Sequence, residues 1–434
     1  MSDQGSTELE KAVPEKPRQA PFVVSLYRFH ENIDALRQLH EEICGHAAEM
    51  DKQRMGPEAL SAVQSLSPDR RERFQKWLEE AIGRERDEEN PESGLSDADK
   101  TELGAIFGGN QAAAVQAWLR MQRALVLAPS RETLLRSSLL TMAVSAFEAL
   151  VGNLAARHFE LRPKTLGKEP KFSLEKLSEF DSVEEILDSA IAFRVFQLLQ
   201  ERLADWVKWF DSDSGLGIKL KNLAIDYQRL EELIQRRHII VHNGGVVSSQ
   251  YLERVHFDSA PPQLGEALPI DEPYLRDALE QLDAVGSLLG IGVWSKDHPE
   301  QEAEAVSVLS NRQEELLFED RWLVLRKICS VAKHVASFDR QAQVFQVNEW
   351  LAVKNLEGLD AIRADIEASW DTTALEPQFG LVKHALLDQN DEFFRLAPTL
   401  LESGGIQQEQ LRTWPVFADL RDDRRFAALL NGKS

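Results

Sequence analysis

Apolar residues in this chain recur at intervals of three and four, and no stretch alternates apolar with polar long enough to argue for a sheet. From Leu26 the positions Phe29, Ile33, Leu36 and Ile43 follow at spacings of three, four, three and seven, a near-heptad stripe along one long helix. Pro57 ends that stretch, and a second helix is predicted over 69–82. Residues 84–93 carry no apolar side chain and read as an exposed linker, and a helix over 112–127 is closed by Pro129. Ser130 suits the cap of the next helix, with Glu132 in its first turn. That helix runs to about Leu161 and is apolar on most of its surface, as the centre of a core should be. After a basic loop at 163–172 come helices over 183–209 and 222–242, separated by a turn at 211–217. Pro261, Pro262 and Pro269 mark a loop, and Pro273 opens a helix through Leu279, Leu282 and Leu289. Together these make a bundle of four or five helices.

A polar linker is predicted at 295–305. Short amphipathic helices then follow over 314–335, 340–354, 356–370, 377–388 and 391–403, with a final pair around Glu409 and Asp419. The loops between them are short, so neighbours should pack antiparallel. The expected fold class is all-α: a disordered tail at 1–20, an N-terminal helical region at 21–128, a central bundle at 130–296, and a solenoid-like array of helical hairpins at 310–434. The array should fold separately, so that a chain ending near Trp294 keeps whatever chemistry the bundle performs.

The length of 434 residues suits two to four domains, and 43% apolar with 28% charged residues suits a globular protein. Cys44 and Cys329 lie far apart, with no metal-like spacing, and point to a reducing, cytoplasmic setting. The N-terminus lacks the apolar core of a signal peptide, and no run approaches the roughly 18 uninterrupted apolar residues of a membrane span. No membrane partner is therefore expected. His40 and Cys44 are one helical turn apart, but His46 breaks the spacing a zinc site would need, and a packed histidine is the better account of His40. There is no Walker-type loop, no Gly-x-Ser-x-Gly elbow and no Cys-x-x-Cys pair, so neither metal nor cofactor is expected. Trp206 and Trp209 read as core. The net charge of −22 argues against broad nucleic-acid binding. Residues 201–242, however, hold seven basic side chains against seven acidic ones, so any RNA site is local and selective.

The candidate chemistry sits at Gln235-Arg236-Arg237-His238-Ile239-Ile240-Val241-His242-Asn243-Gly244-Gly245. Two arginines and two histidines end an apolar helical run, and Asn-Gly-Gly stops it. His238 and His242 are four apart and share a face. Arg237 and His242 are five apart, about 140° around an ideal helix, and converge only if the last turn is distorted. A guanidinium and an imidazole suit an anionic phosphate and its proton transfers. The plainer reading is an ordinary helix end, with cations near the last carbonyls.

At these residues the chain resembles the HEPN family of all-helical domains, many of which are metal-independent ribonucleases. The family signature of Arg, a polar residue, three variable residues and His is matched by Arg237 to His242, and the continuation through Asn243-Gly244-Gly245 to Tyr251 resembles one HEPN subgroup. A second matching stretch is 139–158, where Ala146-Phe147-Glu148 sits mid-helix as in the opening helix of such domains. The resemblance spans roughly 131–294. It implies an endoribonuclease with a toxin-like or defence role, cleaving RNA by attack of a ribose 2′-hydroxyl on the adjacent phosphate. His242 would move protons and Arg237 would grip non-bridging oxygens. His238 would serve as a second proton group or orient substrate. Arg236 would bind phosphate or an acidic neighbour, with Asn243 in support. Glu148, acidic in an apolar helix, needs a partner such as Arg237 or a histidine unless it points to solvent. The resemblance also implies a two-fold homodimer whose two motifs face one cleft. The rival reading is a non-catalytic bundle whose pocket binds a nucleotide or a partner protein. Near the C-terminus, residues 411–417 and 422–426 resemble the closing helices of tetratricopeptide-like arrays, which suits docking of a partner protein. No 34-residue self-similarity accompanies them.

Overall fold

The first helix, α1 (Pro21–Lys52), is set by its apolar stripe: Phe22, Leu26, Phe29 and Ile33 are each no more than 2% exposed. Further along, the buried positions are Leu36, His40, Cys44 and Ala47, whereas Ile43 is 39% exposed. The stripe therefore follows the 3.6-residue pitch of a straight helix and not a strict heptad. The computed structural model describes residues 21–52, 66–82, 96–109, 130–167, 172–212, 223, 225–335 and 339–431. The predicted tail at 1–20, linker at 84–93 and helix at 112–127 lie outside the described residues, as does most of the turn at 211–217. Among the described residues the regular elements are all helices. Contacts gather them into two compact units. One is drawn from Met1–Ala35, Thr141–Glu266 and Arg276–Ser434, the other from Leu36–Leu140 and Ala267–Leu275. The boundaries expected at 128 and 296–310 thus do not coincide with the separation of contacts.

In the smaller unit, α2 (Pro68–Ile82) packs against α3 (Asp97–Ile106). Phe74, Trp77, Leu103 and Ile106 are buried, and Phe74 meets Phe107 edge-on at 5.5 Å. Ser96 and Asp99 form a reciprocal cap at the start of α3, and Trp77 Nε1 donates to Asp99 Oδ1 at 3.1 Å. Arg73 clamps Glu102 through two bonds at 2.6 and 2.9 Å.

The larger unit is built on the part of α4 (Arg131–Leu161) from Thr141 onward, whose Ala143, Val144, Phe147, Val151, Leu154 and Phe159 are buried. Among the described residues α4 is the one helix long and apolar enough to cross a membrane by length and composition, and 56% of that stretch is buried inside the protein. The absence of an uninterrupted apolar run had hidden this property. A 3₁₀ turn (Pro163–Leu166) and the short α5 (Leu174–Leu177) lead to α6 (Val183–Gln200) and α7 (Leu203–Asp211). A single helix was predicted over 183–209. It breaks because Trp206 Nε1 donates to the Leu198 carbonyl, the acceptor a continuous helix would give to Arg202. Trp206, at 4% exposure, is a core residue as its sequence context suggested. Then come α8 (Tyr227–Asn243), α9 (Ser249–Arg254) and α10 (Glu272–Asp297). The C-terminal ends of α4 and α10 are tied by His158, whose Nδ1 lies 3.1 Å from both oxygens of Asp297, with both side chains fully buried.

Close packing of α1 on α10 depends on two glycines one turn apart. A Cβ at Gly286 would lie 2.3 Å from the Phe29 ring, and one at Gly290 would lie 2.3 Å from Leu26 Cδ2. Phe29 cannot easily retreat, because it meets Phe147 edge-on at 6.5 Å. Gly286→Ala is therefore expected to lower the melting temperature, with overpacking of about 1–3 kcal/mol exceeding the ~1 kcal/mol that alanine adds to a helix. Gly380→Ala, where a Cβ meets nothing within 4 Å, should raise it. Thermal melts of the two variants must move in opposite directions.

Residues 295–305, predicted as a linker, are almost wholly helical: α10 continues to Asp297, a 3₁₀ turn covers Pro299–Gln301, and α11 (Glu302–Phe318) follows. The stretch also turns groups inward, among them the Asp297 carboxylate held by His158. Trp294 and Ala305 are fully buried, and Trp294 Nε1 donates to Gln301 at 2.8 Å. The predicted helix over 314–335 is two, α11 and α12 (Trp322–Val335), broken where Asp320 takes a left-handed φ of 55°. Helices α13 (Asp339–Glu357) and α14 (Asp360–Ser369) pack together, as do α15 (Gln378–Leu386) and α16 (Asn390–Glu402), and α13 also touches α15. Then α17 (Gln408–Thr413), a 3₁₀ turn (Pro415–Leu420) and α18 (Arg424–Leu430) close the chain. First helices of successive hairpins begin at Glu302, Asp339, Gln378 and Gln408, and this uneven spacing explains why no repeat period is visible in the sequence.

The break before α12 turns Arg321 inward, into a charge network that joins these helices to α1 and α10. Arg312 clamps Asp34 at 2.6 and 2.9 Å and reaches Asp283 at 2.6 Å. Arg321 reaches Asp283 at 2.6 Å, Asp34 at 2.8 Å and Glu280 at 2.8 Å. Asp283 is fully buried; burial alone would raise its pKa, but the two guanidiniums hold it far below the carboxylate range. The C-terminal helices are thus joined to the bundle by buried ion pairs as well as by helical continuity. His30 Nε2 lies 2.8 Å from Ser287 Oγ at the network's edge. Burial pushes the His30 imidazole down to about 4, with Asp283 and Asp34 opposing and Arg312 and Arg321 assisting. Its folded pKa is below its unfolded value of about 6.5, so the unfolded chain takes up the proton first. Stability contributed by neutral His30 is complete above pH ~6.5 and falls by about 3 kcal/mol as pH drops to ~4. Denaturant titrations at pH 7.5 and 4.5 should show this loss in the wild type and a smaller one in His30→Asn.

Candidate functional site

Helix α8 begins with Asp226, whose Oδ1 caps the Arg229 amide at 2.9 Å, and buries Leu230, Leu233 and Ile239. It ends where Gly244 (φ 63°) and Gly245 (φ 81°) turn left-handed, and Gly245 N–H donates back to the Ile239 carbonyl at 2.9 Å. The last turn is regular, so Arg237 and His242 stay on different sides of it. Arg237 crosses to α4 and donates through Nη2 to Glu148, both side chains being about three-quarters covered (24% and 23% exposed). Burial raises the Glu148 carboxyl above its ordinary range, and Arg237 opposes that shift. Glu148 therefore faces its partner and not solvent.

Arg237, His238 and Glu148 line one polar pocket of about 250 Å³, walled by Leu203 and Trp206 of α7, Gln235 of α8 and Arg254 of α9. Two polar atoms of this wall are buried without a hydrogen-bond partner: the donor Arg237 Nε and the acceptor Gln235 Oε1. Buried polar atoms are nearly always satisfied, so such a complementary pair marks a place where a ligand or water is due. The His238 imidazole is held below its ordinary pKa, first by burial and then by His242, Arg254 and Arg237. It is thus neutral at neutral pH and free to accept a proton. His242 is exposed and does not line the pocket, but its ring centroid is 4.7 Å from that of His238.

The other two sequence candidates are engaged elsewhere. Arg236 Nε donates to Glu232 at 3.0 Å and its guanidinium lies over the Tyr251 ring at 5.7 Å, an acidic neighbour as one of the alternatives proposed. Asn243 Nδ2 donates to the Val246 carbonyl at 2.7 Å and acts as a helix-end brace. Sequence reasoning missed Gln235 and Arg254 and gave Arg202 no role. The run that carried Arg237 also contains Gln235, but its unsatisfied oxygen depends on Glu231 taking the amide nitrogen at 2.9 Å. Arg254 lies beyond the Asn-Gly-Gly stop, where no pattern announces it. Among the described residues no group of three or more His, Cys, Asp or Glu side chains is placed to hold a metal ion. Comparison with protein-family models, curated proteins and solved structures finds nothing that matches this chain.

Proposed function

We propose that the chain is a metal-independent endoribonuclease of HEPN type, acting on RNA in a toxin-like or defence role in the cytoplasm. The observation that carries this reading is the pairing, in one polar pocket, of a buried Arg237 Nε–H lacking an acceptor with a histidine kept neutral. A phosphodiester oxygen supplies the missing acceptor, and the guanidinium stabilises charge developing on the phosphorane. His238 accepts the proton of the 2′-hydroxyl and His242, beside it, protonates the leaving 5′-oxygen. Glu148 fixes the guanidinium plane. A two-fold homodimer through the bundle completes the reading: Val241, 51% exposed beside His242, leaves this end of α8 open to a second copy. The C-terminal helices serve as a docking surface for a partner protein.

A second reading, a nucleotide- or protein-binding module without cleavage, draws on the position of His242 outside the pocket. Incubation of the purified protein with RNA in excess chelator separates the two. Cleavage leaving 2′,3′-cyclic phosphates supports the ribonuclease, and binding without cleavage supports the module. The rate should rise with pH through a midpoint below the ordinary imidazole value of ~6.5, because the proton acceptor is the depressed His238. A midpoint above that value removes His238 from the role.

A further inference from the structure

Most arginines of this acidic chain that lie near its surface are matched by carboxylates, but Arg202 and Arg254 are not. Neither lies within ion-pair distance of a carboxylate among the described residues, and both line the pocket that holds Arg237. With the Gln250 amide oxygen turned toward it, Arg254 is steadied by two bonds at 2.9 and 3.1 Å that bring no charge, while the Glu231 carboxylate feels both Arg254 and Arg202 from beyond ion-pair distance. Arg202 is the N-cap of α7 and its side chain makes no bond to the first turn, where Asp205 instead takes the Arg202 backbone amide and pairs with Lys208 at 2.9 Å. The two carboxylates lining the pocket are already spoken for: Glu148 by Arg237, and Glu201 by Arg194 at 3.1 Å. Opposite these positive groups, Gln235 is 4% exposed and presents an oxygen with no donor, its nitrogen being held by Glu231. The wall therefore asks for an anion that carries a hydrogen-bond donor beside its charge.

We infer that this pocket is a ribonucleotide subsite beside the scissile bond, in which Arg202 and Arg254 hold a phosphate and Gln235 Oε1 accepts the 2′-hydroxyl of the flanking ribose, the attacking hydroxyl at His238 belonging to its neighbour. Its volume of about 250 Å³ falls below the roughly 300–1,000 Å³ of pockets that bury drug-sized ligands, so it takes one nucleotide's sugar-phosphate and leaves the base outside. An acceptor aimed at the 2′-position distinguishes RNA from DNA, since only the ribose offers a donor there. The choice of a ribonucleotide rests on the ribonuclease reading; the anion site itself does not.

The test is calorimetric titration of the full chain with uridine 3′-monophosphate, its 2′-deoxy analogue and inorganic phosphate. Arg202→Ala and Arg254→Ala should each weaken both nucleotides at least tenfold, the scale of a lost charge-assisted bond. Gln235→Met should leave the deoxy analogue unchanged and abolish the preference for the ribonucleotide. Unchanged affinity in both arginine variants overturns the subsite, even if RNA cleavage by the wild type is intact. Equal affinity of the wild type for the two nucleotides overturns the role of Gln235. Arginine-dependent binding with no cleavage of any RNA supports the subsite and counts against the ribonuclease instead. Should Gln235→Met fail to fold, the two arginine variants and the wild-type ribose preference still decide the matter.

Discussion

His242→Ala protein is expected to cleave RNA roughly 10²- to 10⁴-fold more slowly than the wild type, the scale of losing a positioned proton-transfer group. Its fold should be nearly intact, because a helix-end charge contributes only about 0.3–1 kcal/mol. Arg237→Lys should also fail. The guanidinium spends one nitrogen on Glu148 and keeps Nε–H for substrate, and a single ammonium cannot hold both directions with a planar fork. Glu148→Gln preserves an acceptor for Arg237 and should retain more activity than Arg237→Lys. Initial rates on a labelled RNA, measured with chelator present and alongside thermal melts, check all three. An ordinary helix end gives the opposite pattern, with small losses of stability and no change in any RNA assay. Wild-type cleavage by a folded His242→Ala protein would end the assignment at this residue.

Arg312→Leu is expected to cost about 3–5 kcal/mol, because it strips Asp283 and Asp34 of a shared guanidinium while Asp283 remains buried. A loss of that size is a large part of a typical domain's stability. Arg312→Leu combined with Asp283→Leu should recover part of it, since both ends of the buried charge pair are then apolar. For the same reason a chain ending near Trp294 should not fold: it lacks both Arg312 and Arg321 and leaves Asp283 without either partner. Denaturant midpoints for the single and double variants, with circular dichroism of the truncated chain, test the argument. A cooperatively folded truncated chain of wild-type stability would show that the network is dispensable.

Local signals were legible and long-range ones were not. The helix predicted over 69–82 is observed as Pro68–Ile82, and the central apolar helix was predicted to end at its observed last residue, Leu161. Gly244 and Gly245 announced the left-handed stop of α8, because that conformation is a property of the residues themselves. Arg237 and His238 were marked by the same local pattern. Their pocket was not, since its other wall depends on the interruption after Gln200 that Trp206 causes from eight residues beyond its acceptor. Arg321 fell within a helix predicted over 314–335, with no role assigned to it. Nothing near it in sequence shows that Asp34, some 287 residues away, is its partner. The polar stretch at 295–305 misled because composition does not reveal which side of a helix is covered.

The contact between Glu148 and Arg237 ties occupancy of this pocket to protons. An anion that accepts from Arg237 Nε–H shares the guanidinium with a carboxylate whose proton affinity burial has already raised. The anion's negative charge offsets part of the guanidinium charge that Glu148 feels, so the carboxylate's affinity for a proton rises further. Binding is then accompanied by proton uptake, and its affinity increases as pH falls toward the Glu148 pKa. The heat of binding would differ between buffers of different ionisation enthalpy, and Glu148→Gln would erase that difference.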